Sequence, residues 1–319
     1  MKKHKICKIL LVILAIFLCV AFYELLGICV AYKKQPEVSN TTKKETKNGS
    51  WNECSENTER AVIIEKNPEA LLQRVRLIKN AKKEIILSTF AFQSDESGKL
   101  ILGALHDAAD RGVHIRLLVD GMESWIDMEG NPYFYGLSSH ENVEIKLYNK
   151  ANPLKPWKMM GRMHDKYLIA DGKRYILGGR NTYNYFLGDF PGHKNYDRDV
   201  LVVCDEPEKE NSVNQLLEYF ETIWEQEDSG YFHDNKKLAN RKSVKNAVLE
   251  LQNGYQKYFE ENKERICDTD YTDETFETEK IALVSNPIHT GSKEPVVWYQ
   301  LGELMKNAKE RVKIHTPYI

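Results

Sequence analysis

The sequence is short of the features that mark a disulfide-knit, zinc-bound or nucleic-acid-coating protein. It has six cysteines in 319 residues, and Cys7, Cys19 and Cys29 all fall in one apolar segment. Cys204 ends the strand-like run Val202-Val203-Cys204, which reads as a core position. Cys54 and Cys267 remain as a conceivable pair, with no spacing pattern to support it. No Cys/His cluster has the spacing of a zinc site. Nor is there an excess of basic charge: 45 Lys and Arg stand against 47 Asp and Glu, a formal net charge of −2. Four of those lysines lie at positions 2, 3, 5 and 8, so the remainder of the chain is more acidic still. Such a chain has no general footprint for phosphate backbones, and nucleic acid is an unlikely partner. With 42% hydrophobic and 29% charged residues it is globular rather than disordered, with room for one large or two ordinary domains.

One long hydrophobic run is present, at the N-terminus. Lys2, Lys3, Lys5 and Lys8 precede apolar residues from Ile9 to Tyr23, and the run resumes after Glu24 as Leu25 to Tyr32. That length spans a bilayer with some tilt. There is no small-x-small cleavage pattern and no lipoprotein-type site, so residues 1–32 are expected to be an uncleaved anchor. The lysine bias places the N-terminus in the cytoplasm and the body outside the membrane, with Lys33 and Lys34 weakening the asymmetry.

Residues 33–58 are polar without periodicity and read as a flexible linker. Order begins near Arg60, with a strand, a helix from Pro68, the apolar strand Glu84–Phe90 and a helix from Gly98 to Arg111 closed by Gly112. The strand Val113–Asp120, a helical piece over Pro132–Ser138 and the strand Val143–Tyr148 follow. This alternation indicates a layered α/β domain with a parallel or mixed sheet, a first lobe over 59–232 closed by a helix from about Glu208 to Gln226. Residues 233–278 read as a charged helical connector. The Pro- and Trp-bearing segment 149–161 is a loop whose Lys155, Trp157, Lys158, Met159 and Met160 suit either lipid headgroups or plain packing.

The chemistry concentrates in Arg162–Asp171 and the following Gly172–Asn181. The pattern is strand, tight turn at Asp171-Gly172, then a strand ending in two glycines. Alternation on a strand puts His164 and Lys166 on one face, with Met163, Asp165 and Tyr167 on the other. An imidazole beside an ammonium suits a phosphate ester: one attacks phosphorus or shuttles a proton, the other holds a phosphoryl oxygen. Gly178-Gly179 allows a substrate or another backbone to come close, and Asn181 adds a neutral donor. Other histidines have ordinary explanations: His106 in a helix, His114 in a strand, His193 in the loop after the motif.

The helix-to-strand junction Leu77–Thr89 recurs as Leu304–Thr316, an offset of 227, and Ala61–Pro68 resembles Ile281–Pro287. His315 stands where Ser88 does. A second, incomplete lobe is therefore expected over 279–319, and the offset would put a second catalytic strand about 70 residues beyond Ile319.

His164, Lys166, Asp171, Gly178, Gly179 and Asn181 match at every spacing the phospholipase D signature His-x-Lys-x4-Asp-x6-Gly-Gly/Ser-x-Asn, known as the HKD motif. The sequence resembles that superfamily over residues 60–319, and bacterial cardiolipin synthases most of all, through the anchor and Thr316-Pro317-Tyr318-Ile319. The resemblance implies an α-β-α sandwich and a bilobal enzyme in which two such motifs share one pocket. One histidine forms a phosphohistidine, the other protonates the leaving alcohol, and no metal or other cofactor is needed. It makes His164 nucleophile or general acid, Lys166 and Asn181 phosphate ligands, and Asp171 chiefly a structural partner. It also implies an acidic residue that orients the histidine, for which Asp199 is the candidate and Asp197 the second. The expected substrate is a membrane phospholipid, and the site needs a second HKD lobe or another chain. A phosphodiesterase acting on nucleic acid and an inactive remnant are the alternatives.

Overall fold

The computed structural model describes residues 2–49, 59–204, 206, 211–233 and 235–314. These fall into two compact units, one over 59–151 and 162–281, the other over 2–49, 152–161 and 282–314.

The smaller unit holds α1 (Lys2–Ala31), α2 (Asn40–Asn48) and α10 (Val296–Asn307). Within α1 the stretch Lys5–Ala31 is long and apolar enough to cross a membrane. The expected flexible linker contains α2. Ser39 caps it by accepting a hydrogen bond from the Thr42 amide, and Gly49 closes it in the left-handed region at φ 74°. The Glu294 carboxylate accepts from Ser39 N at 2.8 Å and Thr42 Oγ1 at 2.7 Å. A helix held by caps shows no hydrophobic period, which is why composition read as linker. Of the expected start of a second lobe, α10 forms, while 281–286 and 311–314 are irregular rather than strands. Residues 315–319, with His315 and the Thr316–Ile319 resemblance, lie outside the described residues, as does Cys54 of the suggested Cys54–Cys267 pair.

The larger unit is built on a nine-stranded sheet. Its strands are β1 (Glu59–Ile64), β2 (Glu84–Thr89), β3 (His114–Asp120), β4 (Val143–Tyr148), β5 (Tyr167–Ala170), β6 (Arg174–Gly178), β7 (Asp199–Cys204), β8 (Ser229–Tyr231) and β9 (Phe276–Glu277). The spatial order is β8-β4-β3-β2-β5-β6-β7-β1-β9. β2, β3 and β4 are parallel, and every other neighbouring pair is antiparallel. The helices are α3 (Asn67–Asn80), α4 (Glu96–Asp110), α5 (Gly121–Asp127), α6 (Pro132–Ser138), α7 (Ser212–Trp224), α8 (Lys242–Glu261) and α9 (Lys263–Cys267).

Both faces of the sheet are covered, so its central strands are apolar on successive residues rather than alternately. Ile85, Leu87, Ile115, Leu117, Val119 and Leu168 join the main core with α3, α4, α6 and α8. The opposite face meets α7: the Tyr167 and Phe220 rings lie 6.5 Å apart, and the Tyr175 hydroxyl is 2.8 Å from Ser212 Oγ. This is the expected α-β-α sandwich.

Residues 233–278 are not a connector. Val244, Leu251, Tyr255 and Phe259 of α8 belong to the main core. The acidic stretch after α9 wraps the buried Arg76, whose guanidinium donates to Glu274 at 2.9 Å and to the Asp268 and Asp270 carbonyls. The charged residues form the outer stripe of an amphipathic helix and the shell of one buried cation, which sequence alone cannot assign to a partner.

Candidate active site

The site forms where the parallel strands end. β2 and β3 finish at Thr89 and Asp120, antiparallel β5 begins at Tyr167 beside them, and β6 ends at Gly178. The ladder starts later than the sequence suggested, with Ser88 opposite Tyr167. His164 and Lys166 therefore occupy an extended lead-in to β5, ahead of its ladder with β2. The alternation persists. His164 and Lys166 both lie against Phe90, with ring centroids 4.6 Å apart for the histidine and Nζ 5.2 Å from the ring centroid for the lysine. Asp165 points the other way and accepts a 2.7 Å hydrogen bond from the Tyr219 hydroxyl on α7.

The lead-in is held by a residue the sequence reading overlooked. Asp120, buried at the end of β3, accepts from Arg162 Nε at 2.9 Å and from the Met163 amide at 3.0 Å. The same carboxylate caps α5 through the Met122 and Glu123 amides. Arg162 also reaches Glu123 at 3.0 Å and lies over Phe90 with Cζ 4.9 Å from the centroid. Phe90 thus carries an imidazole, an ammonium and a guanidinium on one ring. A carboxylate at a strand end followed by glycine was the available signal for Asp120.

Lys166 is buried and His164 exposed. Lys166 Nζ donates to the His164 carbonyl at 2.5 Å. Loss of solvation lowers the Lys166 pKa to about 8, against the opposing pull of Asp165, Asp197 and Asp120. The His164 pKa is also lowered, first by partial burial and then by the neighbouring Lys166 charge. At neutral pH the imidazole is therefore largely unprotonated and the lysine largely charged.

Asp171 has a structural place. It begins the turn at φ 55°, followed by Gly172 at 63°, and its carboxylate accepts from the amides of Lys82, Lys83 and Glu84 at 2.7–3.1 Å. It ties the β5–β6 hairpin to the α3–β2 junction. Asn181 is buried, its Oδ1 3.3 Å from the Ala91 amide.

The glycine pair makes room for carboxylates. A β-carbon on Gly178 would lie 2.0 Å from Asp199 Oδ1, and one on Gly179 would lie 2.0 Å from Asp197 Oδ2. Asp199 is fully buried between two buried arginines, with Oδ2 2.9 Å from Arg74 and 3.2 Å from Arg180. The contacts are charge-to-charge, with no in-line hydrogen bond to either oxygen. Arg180 further donates to Asn67 Oδ1 and to the carbonyls of Ile64, Glu65 and Asp197. Neither Asp199 nor Asp197 makes a hydrogen bond to the His164 ring; Asp197 acts on Lys166 through its charge. Among the described residues no group of three His, Cys, Asp or Glu side chains is disposed to hold a metal.

Residues 74–224 match the family model described as cardiolipin synthase, phospholipase D-like domain. An uncharacterized protein of Helicobacter pylori strain J99 is 30% identical over 212 residues, 62% of this chain and 39% of that one. Cardiolipin synthase C of Escherichia coli is 29% identical over 171 residues, 49% of this chain and 34% of that one. This chain thus spans well under half the length of the curated relatives it matches. Among solved structures, phosphatidylserine synthase of Haemophilus influenzae superposes with a TM-score of 0.46 at 17% identity, covering 68% of this chain and 48% of that one. The phospholipase D-like domain matched over residues 74–224 carries all six motif positions.

Proposed function

We propose that the chain contributes one half of a phosphodiester-transfer site that acts on membrane phospholipid, in the manner of a cardiolipin synthase. The observation that carries this reading is the exposed His164 beside the buried Lys166 on a lead-in pinned by Asp120. An unprotonated imidazole nitrogen attacks phosphorus, an N–P bond forms, and the P–O bond to the headgroup alcohol breaks. The leaving oxygen takes a proton from a second histidine, supplied by a further HKD lobe or another chain. An acceptor alcohol or water then displaces His164 from phosphorus and gives up its proton to that same second histidine. Lys166 holds the phosphoryl oxygens through both steps, with Asn181 as a neutral donor. Helix α1 anchors the chain, with the body on the extracytoplasmic side.

The test is the full chain in phosphatidylglycerol vesicles with the glycerol headgroup and acyl chains separately labelled. Cardiolipin or phosphatidate should form, with free glycerol released, and His164→Ala should abolish both. Lipid left unchanged while His164-dependent cleavage of an oligonucleotide occurs would replace this reading with a nuclease. No turnover of either substrate would leave a non-catalytic chain.

A further inference from the structure

We infer that the loop 152–161 is a membrane-docking element, seated on phospholipid headgroups where α1 leaves the bilayer; the inference rests on the reading that α1 spans it. Residues 5–20 of α1 are exposed throughout, and cover by the rest of the chain begins only at Ala21. At about 1.5 Å per residue the stretch from Lys5 to Tyr23 runs roughly 28 Å, close to the ~30 Å of a hydrocarbon core. Glu24 is the one charge between Lys8 and Lys33 and falls just past that length. There it lies past the acyl chains and is partly covered by the rest of the chain, with Oε2 buried and without a hydrogen-bond partner.

The loop docks at this same level. The Tyr23 hydroxyl donates to the Leu154 carbonyl at 3.0 Å. One turn on, Gly27 lies against Pro156 so closely that a β-carbon would sit 2.4 Å from the ring. Pro156 begins a single 3-10 turn over Pro156–Lys158 and is buried, so the loop is stiff where it touches the helix. On its outer side Leu154 is 77%, Trp157 46% and Met160 56% exposed, with Lys155 exposed among them. One exposed apolar side chain is ordinary; three within seven residues, interleaved with lysine, form a patch that needs a partner. The partner is a lipid surface, because the helix that fixes the loop is itself embedded in one. Tryptophan and leucine suit the glycerol level, and lysine suits anionic phosphates beside it.

The experiment uses the full chain in phosphatidylglycerol-containing vesicles whose lipids carry bromine near the glycerol end of the acyl chains. Wild-type tryptophan emission should be quenched, and Trp157→Phe should remove most of the quenchable fraction. In the Trp157→Phe background, Leu154→Trp should restore it. Unchanged quenching in Trp157→Phe, or none added by Leu154→Trp in that background, would overturn the inference. Alkaline carbonate extraction of the same vesicles separates the two readings. Protein that stays in the pellet with an unquenched loop refutes loop docking alone. Protein that is stripped off refutes the spanning helix, and loop docking with it.

Discussion

Lys166 Nζ lies 2.5 Å from the carbonyl oxygen of His164, so the two catalytic candidates are tied through the main chain as well as through their shared contact with Phe90. Any movement of the lysine moves the segment that carries the imidazole. The Lys166 charge also disfavours protonation of His164.

That coupling gives a pH profile. With His164 as nucleophile, kcat/KM should rise with pH as the imidazole deprotonates, on a limb below the ordinary histidine value of about 6.5 because its pKa is lowered. It should fall again above about 8, where Lys166 loses its proton. Replacing Lys166 with arginine keeps the positive charge to much higher pH, so the alkaline limb should vanish even if the rate drops. An alkaline limb that persists in Lys166→Arg would assign it to another group.

Asp120→Asn tests the anchor. The amide keeps the shape but withdraws the charge facing Arg162 and one of the acceptors for Arg162, Met163 and α5. Removing one partner of a buried ion pair costs several kcal/mol at most, less here because Arg162 is partly exposed and also meets Glu123. Turnover should fall at least tenfold with the fold retained by circular dichroism. The signature of positioning is a loss in kcat larger than the change in KM.

The sequence shows the motif more plainly than the scaffold that holds it. His164, Lys166, Asp171, Gly178, Gly179 and Asn181 were legible because a fixed motif carries its own spacing, and the sheet was legible because buried strands are apolar without interruption. Asp120 was not, since its role depends on a contact across 42 residues that no local pattern records. Helix α8 was placed outside the lobe because its charged stripe is visible in the sequence, whereas the core face it covers is a tertiary fact. The glycine pair reads as space for a substrate or another backbone. The structure fills that space with Asp197 and Asp199, which only β6–β7 register reveals.

Asp171→Ala should act on stability. Its carboxylate satisfies three consecutive amides at the start of β2, and alanine leaves them to water or without a partner. At about 1–3 kcal/mol for removing such an acceptor, thermal unfolding should shift down by several degrees. The pH limbs of the remaining activity should stay where they are, because the carboxylate bonds to backbone rather than to His164 or Lys166. A displaced acid limb would give Asp171 a direct part in the chemistry.

Asp199 separates two roles that its position in sequence could not. As orienter of His164, its replacement would move the acid limb and leave stability nearly intact. As counter-ion to Arg74 and Arg180, which are 4% and 1% exposed, its loss strands two buried guanidinium groups. Asp199→Asn should therefore destabilise the lobe by about 3–5 kcal/mol in denaturant unfolding. Gly178→Ala should also destabilise the lobe, since its methyl group would meet the Asp199 carboxylate that faces the same two arginines and the Arg198–Asp199 backbone beside it. The double variant should then cost clearly less than the sum of the two singles, because both act on one ion-pair cluster. Full additivity, or a shifted acid limb in a stable Asp199→Asn protein, would return Asp199 to His164.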